Sequence, residues 1–269
     1  MYISKNYYLS SINDMIPVTS YIKYFLSSQT RYEIHSPFLY NLVTGPINDK
    51  TDYPAYRLMK SINKDVYEDL FRSTDAKTKK LLELPAIGLR KQRKNVVKNN
   101  KYHRLVFRLI RYFNPKTIFD LGSFTGLSAI HMSIASPESQ IFTFPFNQLA
   151  YNLLYDNISR IDFNNIIPSE IFSASLLLQF ENKNRKIDLI CINRCCKPGE
   201  ILKIIEDSIP FLSNESFMII RDLNNNDKNR SLWNHMKAHE KTTVTVDLFN
   251  LGIIFFKKEL SKENFIIRF

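Results

Sequence analysis

The stretch Ile118-Phe119-Asp120-Leu121-Gly122-Ser123-Phe124-Thr125-Gly126, continuing through Leu127 to Met132 as IFDLGSFTGLSAIHM, decides the fold. A short apolar run ends in an acid, two glycines follow, and an apolar helical pattern begins. That is a strand turning sharply into a helix. Glycines at 122 and 126 permit close backbone approach, and the N–H groups freed at the helix start can hold an anionic or polar ligand. The spacing D-x-G-x-x-x-G differs from the dinucleotide fingerprint G-x-G-x-x-G, because Phe124 and Leu127 stand where further small residues would be sought.

Working outward, Tyr102, Leu105, Val106, Leu109, Ile110 and Phe113 form a helical stripe that Pro115 ends. Downstream, the pattern predicts strands at Thr117 to Leu121, Gln140 to Phe144, Ile187 to Ile192, Phe217 to Arg221, Thr243 to Phe249 and Ile253 to Lys257, with a weaker one near Asn165 to Ile167. Helical stretches separate the first of these. Strands joined by helical crossovers require a mostly parallel sheet covered on both faces, which explains runs such as IDLICI and FMIIRD that are apolar without alternation. Only Asn250-Leu251-Gly252 separates the last two strands, so they form an antiparallel hairpin. The expected fold is α/β: a Rossmann-like, doubly wound, mostly parallel seven-stranded sheet with a C-terminal antiparallel hairpin.

Upstream, residues 1–100 read as a helical extension with a basic linker, and residues 101–269 as the Rossmann-like domain. Ser36 is placed to cap a helix that starts at Pro37, with His35 just before it, and Tyr56, Met59, Ile62, Val66, Leu70 and Phe71 share one face of a helix over about Ala55 to Arg72. Hydrophobic residues make up 44% of the 269 residues, enough to build a full core, so wholesale disorder is excluded. Cys191, Cys195 and Cys196 are too few and too crowded for a disulfide framework, and neither a secretion signal nor a membrane span is visible. A cytoplasmic location is expected. The net charge of +11 is local: residues 77 to 111 hold twelve Lys or Arg against Glu83 alone. This stretch reads either as a solvated segment or as a phosphate-contacting one; Tyr102 and Phe107, its only aromatics, lie at core-facing helical spacing.

The stretch IFDLGSFTGLSAIHM resembles the first motif of class I S-adenosylmethionine-dependent methyltransferases, particularly their catechol and caffeoyl-CoA O-methyltransferase branch. RYEIHSPFLYNLV (Arg31 to Val43) and TVTVDLFNLGIIFFKKELSKENFIIRF (Thr243 to Phe269) are similar to bacterial methyltransferase-like proteins, so the resemblance spans nearly the whole chain. It implies S-adenosylmethionine as methyl donor, held by Asp120, Gly122, Ser123, Phe124, Thr125, Gly126, Phe146 and Asn193, and an acceptor the sequence does not identify. The departures are as informative. Where the family has an acid after the second strand, gripping the donor's ribose, this chain has Pro145. Asn193 stands at an Asp position after the fourth strand, and Arg221-Asp222 replaces a pair of acids after the fifth. These positions make a poor site for a hard divalent cation, which wants anionic oxygens, so no catalytic metal is expected.

The remaining candidates are weaker. Cys191 falls in a buried strand and reads as a small hydrophobe; Cys195 and Cys196, beside Arg194 and Lys197, are placed for a lowered thiol pKa. His235 and His239 are four apart on a helix, without an H-E-x-x-H context. Two further readings stand beside the enzyme: a catalytically degenerate scaffold that binds a partner, and an RNA methyltransferase using residues 77 to 111 as its phosphate track.

Overall fold

The computed structural model describes residues 18–73, 100–161, 163–170, 172–193, 198–224 and 227–269. Helices α1 (Val18–Ser27), α2 (Pro37–Leu42), α3 (Ala55–Ser73) and α4 (Asn100–Phe113) precede the sheet. Then come β1 (Thr117–Ser123), α5 (Leu127–Ala135), β2 (Gln140–Pro145), α6 (Gln148–Ile161), β3 (Ile166–Pro168), α7 (Ala174–Asn182) and β4 (Ile187–Ile192). The chain continues through α8 (Pro198–Ser208), β5 (Leu212–Arg221), α9 (Asp227–Ala238), β6 (Val244–Asp247), β7 (Leu251–Phe255) and β8 (Glu263–Ile266).

The strands lie in the order β3-β2-β1-β4-β5-β7-β6-β8. The first five are parallel, and β7 is antiparallel to both β5 and β6. This is the doubly wound, Rossmann-like sheet with a terminal hairpin. The order reverses between β1 and β4, and that switch point is where ligands of such sheets bind. Eight strands are present rather than the expected seven. The eighth, Glu263–Ile266, pairs parallel with β6, with Phe265 beside Val246. It needs no helical crossover because the chain has just reversed in the β6–β7 hairpin, so the helix-to-strand alternation gave no sign of it.

Two apolar layers cover the sheet. On one face Ile118, Cys191, Phe217 and Ile219 pack against α4 and α5, and the same cluster takes in Leu39, Tyr56, Met59 and Tyr67 of the N-terminal helices. On the other face Phe119, Leu121, Ile190 and Met218 pack against Phe180, Ile205 and Trp233 of α7, α8 and α9. Gly252 lets Trp233 lie flat on β7, since a Cβ there would come within 2.3 Å of the indole.

The N-terminal helices are tied down at specific points. Ser36 Oγ accepts from the Leu39 N–H, and Pro37 opens α2, as its fixed φ favours. Arg108 of α4 is buried and donates to the carbonyls of Pro46 and Ile47 and to the Tyr56 hydroxyl, satisfying backbone oxygens that the turn after α2 leaves free. Tyr24 of α1 donates to the Ile267 carbonyl at 2.5 Å and accepts from the Phe269 N–H, and Gln29 bridges to Ile267, so α1 and the end of the chain hold each other.

Candidate functional site

The motif that decides the fold folds into a tight crossing. Gly122 and Gly126 both have left-handed backbone, with φ of 71° and 78°, a conformation that costs any L side chain about 1–2 kcal/mol. A Cβ on Gly126 would also press Leu154 of α6 at 3.3 Å. Asn157 of the same helix donates to the Thr125 carbonyl at 2.9 Å, which pins the loop from outside.

Of the eight residues named from the resemblance, the structure divides the set. Gly122 and Phe146 line a cavity of about 980 Å³ over the carboxyl ends of β1 and β2. Its floor is Leu121 and Phe144, and its walls come from Tyr151 of α6, Phe172, and the facing sides of α7 and α8. Among the described residues five carboxylates reach it, Glu170, Glu181, Glu200, Glu206 and Asp207, against the single cation Lys203. In a protein of net charge +11 that is a reversal of sign, and it favours cationic ligands. Tyr151, Phe172 and these acids were not legible as site residues: no local motif joins them, and only the packing of α6, α7 and α8 brings them together. Pro145 sits in the cavity wall and pairs with Ser123.

Asp120, Ser123 and Asn193 instead form a polar network on the opposite face. Asp120 is fully buried; Ser128 and Thr143 each donate to its Oδ2 at 2.9 Å, and Asn193 Nδ2 donates to Oδ1 at 2.6 Å. Burial raises its pKa, and these hydrogen bonds work in the other direction. Ser123 Oγ lies 3.3 Å from Ser128 Oγ. The network continues outward, as Arg221 Nη1 donates to Asn193 Oδ1 at 3.0 Å. Asn229, wholly buried on α9, donates to the carbonyls of both Asn193 and Arg221 and so locks the ends of β4 and β5 together. Phe124 stacks on the cavity-lining Phe146 at 5.8 Å between centroids, and Thr125 is buried.

The strand-end positions do not suit a hard cation. The Asn193 carbonyl oxygen that would ligate one already accepts from a guanidinium, and Asp222, the remaining carboxylate, is exposed with a left-handed backbone. Among the described residues, no group of three or more His, Cys, Asp or Glu side chains is placed to hold a metal. His235 and His239 both face Glu206, at 3.7 and 3.6 Å. His239 Nδ1 accepts from the Lys241 N–H, which leaves the proton on Nε2, the nitrogen that would otherwise bind an ion. Cys191 is buried in the core, and burial pushes its thiol up to about 12, so it is unreactive. Cys195 and Cys196 lie outside the described residues.

The basic stretch falls partly within the described residues. Its residues 77–99 lie outside the described residues, but its four cations on α4 are engaged internally. Besides the buried Arg108, Arg104 lies over the Tyr56 ring at 4.5 Å, Arg111 over Tyr53 at 5.5 Å and Lys101 over Phe269 at 4.0 Å. Cations spent on aromatic rings in this way hold the extension to the sheet. No helix among the described residues is long and apolar enough to cross a membrane.

No family model and no curated protein matches the chain. Solved structures do resemble it. A protein from Staphylococcus aureus assigned as a caffeoyl-CoA O-methyltransferase is 21% identical, with a TM-score of 0.47 over 68% of this chain and 100% of its own. An O-methyltransferase from Bacillus cereus, in complex with SAH, is 13% identical with a TM-score of 0.47 over 74% of this chain and 99% of its own. TomG from Streptomyces achromogenes, an O-methyltransferase in complex with SAM, is 10% identical with a TM-score of 0.49 over 77% and 91%. At such identities the chemistry of this site has to be read from its own residues.

Proposed function

We propose that the chain is an S-adenosylmethionine-dependent methyltransferase that works without a metal ion. The observation that carries this reading is the cavity at the switch point: apolar and aromatic inside, acidic at the rim, and bounded by Gly122 of the D-x-G-x-x-x-G turn. Its volume, about 980 Å³, accommodates a nucleoside-sized ligand. Phe144, Phe172 and Tyr151 offer ring faces to a purine, and the carboxylates suit a molecule that carries a sulfonium and an ammonium. Gly122 lets the backbone approach it closely. The donor brings an activated methyl group bonded to a sulfur that leaves as a neutral thioether, so the protein's share is to bind, orient and exclude water. Asp120 serves here as a buried brace that fixes Asn193, Thr143 and Ser128 rather than as a direct ligand.

Pro145 in place of a carboxylate removes one or two charged hydrogen bonds to the donor, worth about 1.5–3 kcal/mol each. A loss of that size favours a second reading, a scaffold whose donor site has decayed. Calorimetric titration with S-adenosylmethionine, with and without Mg²⁺, separates the two. Micromolar binding unaffected by the metal is the expected result. No heat up to about a millimolar, the equivalent of roughly −4 kcal/mol, would leave the scaffold reading standing.

A further inference from the structure

Across the sheet edge from the cavity lies a cation with no counter-ion. Arg221 closes β5 and is half-buried, yet among the described residues no carboxylate comes within ion-pair distance of its guanidinium. Asp120, the nearest buried acid, is reached only through Asn193 and spends its oxygens on Ser128, Thr143 and Asn193. Asp222 is exposed and bonds none of the three Arg221 guanidinium nitrogens. A guanidinium withdrawn from water without an anion is costly, and such a cost is usually met by a partner.

The groups around it share that unmet demand. β5 alternates strictly, and Phe217, Ile219 and Arg221 turn to the face covered by α3, α4 and α5. There Arg221 is felt by Tyr67, His103 and His131, one from each helix. His103 and His131 meet edge to face at 5.1 Å. His131 is bonded to the Met59 carbonyl while its Nε2 has no partner, and buried His103 Nδ1 and Asn63 Oδ1 have none either. Asn63 lies on the same face of α3 as Met59 and Tyr67, four residues from each. His131 and Asn63 are only 3% and 2% exposed, so His131 Nε2 and Asn63 Oδ1 are polar atoms turned inward without a partner among the described residues. Burial keeps both imidazoles neutral and holds the Tyr67 hydroxyl protonated, so Arg221 is the cation the cluster presents, while the exposed Asp222 carboxylate next to it also acts on Tyr67.

We propose that Arg221, free on Nη2 and Nε while Nη1 donates to Asn193, binds a carboxylate, and that this carboxylate belongs to the methyl acceptor. Arg is suited to that task because its planar fork pairs two nitrogens with two oxygens. The assignment of the carboxylate to an acceptor rests on the methyltransferase reading; the anion subsite itself does not.

The test uses benzoate as the carboxylate probe and benzamide as its neutral isostere, titrated into the full chain and followed by calorimetry and by ¹H–¹³C spectra of the histidine rings. Benzoate is expected to bind in the millimolar range or better, at least tenfold tighter than benzamide, and to move the His103 and His131 resonances. Arg221→Gln should lose that binding at least tenfold and Arg221→Lys should retain part of it, with thermal melts showing that both variants fold. Equal binding of benzoate and benzamide, benzoate binding indifferent to Arg221→Gln in a folded variant, or no benzoate binding at all would each overturn the subsite. A parallel titration with S-adenosylmethionine keeps the two claims apart. Donor binding without benzoate binding removes only the subsite, whereas Arg221-dependent benzoate binding without donor binding removes the methyltransferase reading and leaves an anion site.

Discussion

At the carboxyl ends of β1 and β2 the chain walls a cavity with aromatic rings and rims it with carboxylates, whereas one and two strands further on, at β4 and β5, it presents an arginine among neutral histidines and a tyrosine. Both regions sit on the same edge of the same sheet, and both are built by strand ends followed by short turns. The difference comes from the helices that cover them and from the residue that ends β5. α7 and α8 bring Glu181, Glu200, Glu206 and Asp207 to the first region, while α3, α4 and α5 bring Tyr67, His103 and His131 to the second. One fold thus supplies opposite electrostatics within a few strands, because α7 and α8 carry carboxylates to the first region while β5 itself ends in Arg221 at the second.

The contrast can be broken most severely at Gly122. Its left-handed backbone and its place in the cavity wall predict that Gly122→Val loses donor affinity by a hundredfold or more, read by calorimetry, with a stability cost of about 1–2 kcal/mol. A variant that binds the donor as the natural chain does would remove the cavity from the account.

On the other side the test is acid. Burial and the neighbouring Arg221 hold His131 down to about 3, from an ordinary value near 6.5. A histidine whose folded pKa is lowered contributes stability that is present above 6.5 and is lost as pH falls towards 3. One such group gives a slope of about 1.4 kcal/mol per pH unit below 6.5. Urea unfolding at pH 7, 6 and 5 checks this, and His131→Gln should flatten the slope; an unchanged slope would mean that His131 does not titrate with folding.

Two smaller effects sharpen the comparison. Pro145→Asp places a carboxylate in the cavity wall, and one charged hydrogen bond predicts a gain in donor affinity of about tenfold. Raising the salt concentration should weaken binding of S-adenosylmethionine more than that of its neutral product, by a factor of about two to three, since the rim carboxylates are partly solvated. Equal salt responses would count against the rim as the selector.

The sheet was legible because its cause is local. Apolar runs bounded by glycine, proline and helical stripes specify β1, β2, β4 and β5 and the hairpin, and the D-x-G-x-x-x-G turn fixes where the ligand edge lies. Strand β8 was not, since Glu263–Ile266 carries few apolar residues and acquires its pairing only from the already formed β6. The site was legible to the same extent. Gly122 and Phe146 reach the cavity because they follow strand ends, but Asp120 and Asn193 turned out to bond each other across the sheet, a fact that depends on register. The basic residues of α4 read as part of a solvated or phosphate-contacting stretch, and their contacts with rings and carbonyls of the extension, by Arg104, Arg108 and Arg111, depend on packing that the charge count does not show.

The central claim is that the donor occupies the aromatic, acid-rimmed side of the edge and not the arginine side. Hydrogen exchange with and without saturating S-adenosylmethionine tests it most directly. The account predicts slowed exchange in the segments around residues 120–126, 143–151 and 172–178, with the interior of α3 and α4 unchanged. Protection confined to α3, α4 and α5, or no protection anywhere, would contradict it.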